Sequence, residues 1–183
     1  MQAMAMNFIH RVRPRSAQLL VGWLLAAFAM LGSACHNNTP LPKYVTEFYL
    51  ESPNESGIAF TMPQSQLTFH RMSDAFLDLS MVTGVESGHV TVNLPDGTAE
   101  QKACVFFFLN DDGRQRLNMA TGSNQHRRIF LFFNEKPMGA RFIDQPIDSG
   151  QLFVFLEVPD KELPDYVVDL KESIKRLKDL KNK

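Results

Sequence analysis

Ala103-Cys104-Val105-Phe106-Phe107-Phe108-Leu109-Asn110-Asp111-Asp112-Gly113-Arg114-Gln115-Arg116-Leu117 is the stretch on which the fold turns. Its first seven residues are small, aliphatic or aromatic without a polar interruption, so they predict a strand apolar on both faces. Such a strand belongs centrally in a sheet, with helix on one side. Asn110 to Asp112 then offers the side-chain oxygens that cap a helix start. The short helix that follows turns Leu117 and Ala120 toward the sheet and is stopped by Thr121-Gly122-Ser123-Asn124.

Upstream, Val90, Val92 and Leu94 alternate with Thr91 and Asn93 before the turn Pro95-Asp96-Gly97, which predicts a hairpin with the Phe-rich strand. Leu77, Leu79 and Met81 alternate with Asp78 and Ser80, the period of a half-buried strand, and Gly84 is read as its end. Residues 44–50 and 57–62 read as further strands. Downstream, residues 128–133, 138–143 and 151–158 read as three more, the first two joined at Asn134-Glu135-Lys136. Val167, Leu170, Ile174 and Leu177 recur at helical spacing, and Pro164 confines that helix's start to about residue 161 or 164. Residues 44–183 are therefore expected to form a single α+β domain, a mostly antiparallel sheet with helices packed on one face.

The 183 residues, 44% apolar and 21% charged, suit one globular core. Ten Gly and ten Pro without a repeat, with two Cys, exclude collagenous and disulfide-stapled classes. A formal net charge of -1 leaves no basic footprint for nucleic acid, so no nucleic-acid partner is expected.

Residues 1–34 carry Arg11, Arg13 and Arg15, no acid, and then the apolar run from Leu19 to Leu31, the order of an export signal. Leu31-Gly32-Ser33-Ala34-Cys35 resembles a lipobox, whose cysteine takes lipid after cleavage before it. Cys35 is thus the candidate lipidation residue, and the expected partner of the lipid is the cell membrane or outer membrane, with the domain facing the periplasm. An uncleaved anchor also fits, because Ser16 to Cys35 carries no charge over a bilayer-spanning length. So does plain cleavage that releases the domain. Residues 35–43 read as a lipid-anchored tether, polar and broken by Pro40 and Pro42. The only tryptophan is Trp23, inside the signal.

No catalytic or metal motif is present, and neither enzyme activity, a metal nor a cofactor is expected. His70, His89 and His126 are scattered and read as strand or surface histidines. Asp144 and Asp148 bracket Pro146-Ile147, where turn chemistry accounts for them. Arg127-Arg128 could hold an anion but reads better as a solvated start of a strand. Phe106 to Phe108 and Phe130 to Phe133 could line an apolar cleft, although core packing is the first reading. Cys104 reads as a small buried hydrophobe.

Residues 106–177 resemble the first periplasmic head subdomain of SecD, a subunit of the bacterial protein-export machinery. The likeness runs through Phe106 to Arg114, through Arg127 to Pro137, and through Ala140 to Ile143 followed by Gln145-Pro146-Ile147-Asp148-Ser149-Gly150, with the final helix in place. It departs at Arg141, where the family has proline, and at Ser149, where it has glycine. The resemblance implies a SecD-head-like fold and a non-enzymatic head that contacts exported chains. The expectation is a membrane-anchored lipoprotein of the cell envelope acting as a protein-contact module, accessory to protein export, its partner an exported chain or another envelope protein. A periplasmic inhibitor or immunity protein against one enzyme is the alternative; it would depend on one or two anchor residues.

Overall fold

The computed structural model describes residues 40–94 and 96–182. Strands β1 (Thr46–Leu50), β2 (Ile58–Thr61), β3 (Thr68–Arg71), β4 (Leu77–Asp78), β5 (Val82–Asn93) and β6 (Ala99–Leu109) precede helix α1 (Asp111–Ser123). Strands β7 (Arg128–Phe133), β8 (Lys136–Phe142) and β9 (Gln151–Leu156) lead to the closing helix α2 (Leu163–Lys181). Seven strands form one antiparallel sheet in the order β4-β1-β7-β8-β9-β6-β5, and β2-β3 is a separate hairpin. This is the expected α+β architecture. Among the described residues, no helix is long and apolar enough to cross a membrane.

Local chemistry explains the elements. Asn110 caps α1, its side chain accepting the Gly113 N–H at 2.8 Å. Asn134 and Glu135 both take positive φ, 48° and 67°, as the tight turn between β7 and β8 requires. Pro164 sits in the first turn of α2, after a 3-10 turn at Asp160–Glu162. Asp78 accepts the Ser80 N–H at 2.6 Å, which converts Leu79–Met81 into a 3-10 turn instead of the expected strand. Gly84 does not end a strand either. It lies inside β5, at an irregularity in the pairing with β6, where the ring of Phe108 approaches it.

Alternation divides the sheet into two faces. Toward the helices point Phe48, Val85, Val105, Phe107, Ile129, Leu131, Leu152 and Val154, packed with Leu117 of α1 and Val167, Leu170 and Ile174 of α2. On the opposite face Tyr49, Phe130 and Phe132 are covered by Phe60 and Phe69 of the β2-β3 hairpin. Phe60 meets Phe130 and Phe132 edge-on, with ring centres 4.8 and 5.1 Å away. The strand covered on both faces is consequently β7, every residue from Ile129 to Phe133 being buried. The Phe-rich run, β6, instead lies next to the β5 edge, and only its helix-facing side is fully packed. An apolar run records which faces are covered and not a strand's lateral place.

Chain preceding β1 is held against α2: the Leu41 carbonyl accepts from Arg176 at 2.9 Å, Lys43 pairs with Asp169, and Asn134 Nδ2 donates to the Lys43 carbonyl at 3.0 Å.

Candidate functional site

Away from the helices, the face of the β9-β6-β5 half has no hairpin over it among the described residues. Phe106 and Phe108 of β6, and Phe153 and Phe155 of β9, stay half-buried there. The rings form a row: Phe106 to Phe153 at 5.9 Å and Phe153 to Phe155 at 5.5 Å. Glycines in β5 make room for it. Ring atoms of Phe106 lie where a Cβ at Gly88 would be, 2.5 Å from the ideal position. The guanidinium of Arg141 lies over Phe153, 3.8 Å from the ring centre. Phe106, Phe153 and Arg141, together with Val90, Gln151 and the loop from Gln145 to Ser149, bound an open cleft of about 390 Å³.

The loop that walls the cleft is fixed from behind. Buried Thr121 of α1 donates its hydroxyl to the Leu117 carbonyl at 2.7 Å and accepts the Ile147 N–H at 2.9 Å. Arg114 Nε donates to the Asp148 carbonyl at 2.7 Å, and the Leu109 N–H to the Gly150 carbonyl at 2.9 Å. The cleft is therefore built on residues of β5, β6, β8 and β9 and a pinned loop, a preformed site with an aromatic floor and polar walls.

Beside it runs an open edge. β5 pairs with β6 alone and has no strand on its other side among the described residues. Twelve residues long, it holds no proline or lysine and a single acid, Glu86; blunting is concentrated at its start, where the pairing is irregular and Lys178 of α2 donates to the Thr83 carbonyl at 3.3 Å. Glu86 stands opposite Phe106 in the register.

A larger cavity, about 460 Å³, lies between Pro63, Met138, Glu157 and Tyr166. One of its two carboxylates is already occupied: Glu157 accepts the N–H groups of Gln64 and Ser65 at 2.9 and 3.1 Å and the Ser65 hydroxyl at 2.6 Å. Burial pushes Glu157 up, and the bonds from Ser65 and Gln64 outweigh it and hold the carboxyl below 4.5. That group clasps the hairpin tip to the sheet and leaves the cleft beside β5 as the better site.

Of the residues singled out from sequence, Cys35 lies outside the described residues. His70 is on β3, His89 on β5 and His126 before β7, and no cluster of three metal-ligating side chains occurs among the described residues. Arg128 is engaged by Glu51 at 3.0 Å and lies over Phe69, while Arg127 donates to Asn124 at 3.0 Å. Asp148 stands in the loop walling the cleft, and Asp144 immediately precedes that loop. Cys104 is buried, and burial pushes its thiol up to about 11 against the opposing charge of Arg141. The two Phe runs part company: the second is core, and the first contributes Phe106 to the cleft. The sequence does not single out Phe153 and marks Arg141 only as a departure from the SecD pattern, although residues 152–156, apolar on both faces, carry a signal.

The fold is thus a small α+β module presenting a Phe-lined face beside an open sheet edge. Solved structures of SecDF are similar to it. A crystal structure of SecDF in super-membrane-facing form aligns with 73% of this chain at 14% identity and a TM-score of 0.49, and the chain spans 19% of that chain's length. A second, of a membrane component SecDF that enhances protein export, aligns with 92% of this chain and 71% of its own at 12% identity and a TM-score of 0.47. No protein-family model matches the chain, and no curated protein matches it in sequence.

Proposed function

We propose that the chain is exported, is held to the envelope membrane by lipid on Cys35, and acts in the periplasm as a non-enzymatic contact module for extended chain segments. The observation that carries this reading is the adjacency of the half-buried Phe106–Phe153 row to the open edge of β5. An edge supplies backbone hydrogen bonds to any extended chain, and the aromatic floor of the cleft next to it takes up bulky side chains, so much of the affinity does not depend on exact sequence. Export and lipidation are supported by the charge and apolar order of residues 1–35. A role accessory to protein export is supported by the resemblance of residues 106–177 to the SecD head.

The test is hydrogen exchange on the full chain in lipid discs, with and without an extended apolar decapeptide. Slower exchange confined to the amides of β5 supports the reading; unchanged exchange along β5 at saturating peptide contradicts it.

A further inference from the structure

Resting on the contact-module reading, we infer that Arg141 makes the cleft selective for extended segments that carry an acidic side chain beside a bulky apolar one. Arg141 differs from the other arginines among the described residues. Arg71 donates to the Met72 carbonyl, Arg114 to that of Asp148 and Arg127 to Asn124; Arg116, Arg128 and Arg176 pair with Asp112, Glu51 and Glu172. Arg141 makes no hydrogen bond and no ion pair among the described residues, and its Nε is buried without a partner.

A buried guanidinium donor left unsatisfied is costly, and a carboxylate, able to accept two parallel N–H bonds from the fork, is the group that satisfies it best. Stacking on Phe153 fixes the plane of that fork. Burial disfavours the charge of Arg141, and Asp144 offsets that only in part, through space and without pairing with it; its own side chain accepts the Gln145 N–H at 3.0 Å. Asp148 on the same cleft wall repels a carboxylate, and only Arg141 among the lining residues attracts one, which adds orientation to affinity. Phe106 and Phe153 line the same cleft, so the apolar and acidic groups of one segment are read together. The extended geometry comes from the neighbouring edge, which selects chain and not a free anion.

The experiment compares two fluorescent decapeptides, identical except for Asp or Asn next to a Leu-Phe pair, binding to the full chain in lipid discs. The Asp peptide should bind about tenfold more tightly than the Asn peptide, the worth of one charge-assisted pair. Arg141→Gln should erase the difference between the two peptides, and Arg141→Lys should keep part of it. Equal binding of the two peptides to the wild-type chain, which requires no variant to fold, overturns the inference and leaves the contact module standing. So does a preference that survives Arg141→Gln. Binding of neither peptide overturns the contact module itself, and with it the inference.

Discussion

The ring of Phe106 occupies the space above Gly88 that a side chain would fill, since a Cβ at 88 would come within 2.5 Å of ring atom Cε2. The absence of a side chain on β5 is thus what lets the floor of the cleft lie flat. Gly88→Ala should push the ring away and lower stability by about 1–2 kcal/mol, overpacking outweighing the gain from a stiffer unfolded chain. Gly84→Ala is the control, because there the nearest ring atom, of Phe108, is at an ordinary 3.6 Å and the change should be neutral. Thermal melts of the two variants check the contrast. Equal losses would mean that Phe106 does not rest on Gly88.

A pH dependence follows from the Glu157 clasp. Its folded carboxyl titrates below 4.5, held down by the Ser65 and Gln64 donors, so the clasp adds stability above that value and loses it as the pH falls through the lower folded value. At neutral pH, Glu157→Gln should cost about 1 kcal/mol, discounted for a site only partly buried. The melting difference between wild type and variant should shrink as the pH drops below 4.5. A difference constant down to strongly acid pH would show that the carboxylate does not hold the hairpin.

Much of the fold could be read before the structure. The Asn110 cap, the hairpin around Pro95-Asp96-Gly97 and the start of α2 at Pro164 rest on local rules, and local rules survive tertiary context. The strand Thr68-Phe69-His70-Arg71 was missed because it is polar and short, with a single core residue, Phe69, that becomes apolar surface only when β2 pairs with it. Missing it hid the cover over Phe130 and Phe132, and with that cover gone the two Phe runs looked alike. The cleft joins β6, β8 and β9, whose nearness is decided by strand order, and no spacing along the chain shows that Arg141 will lie over Phe153.

Those two Phe runs should separate by experiment. Phe130 is fully buried beneath Phe60 and Phe69, and Phe130→Ala should destabilise by about 3–5 kcal/mol. Phe106→Ala removes a half-buried ring and should cost stability much less, yet weaken peptide binding at least tenfold, as loss of an aromatic anchor does. Denaturant melts paired with binding titrations measure both. Phe106→Ala binding as well as wild type would remove the cleft from the account.

Anchoring has its own test. Cys35→Ala should abolish metabolic labelling with palmitate and release the chain from washed membranes. Labelling that persists would place lipid elsewhere, and the loss of label without release would favour a retained apolar helix as the anchor.

Photo-crosslinking in the intact envelope, from a light-activated residue at Glu86 on the cleft face of β5, tests the central claim most directly. A second probe at Met119, exposed on α1, serves as the comparison. The account predicts adducts with many different exported chains from position 86, weakened by Phe153→Ser, and few from position 119. A single adduct of one defined enzyme from position 86, or equal yields from both positions, would contradict it.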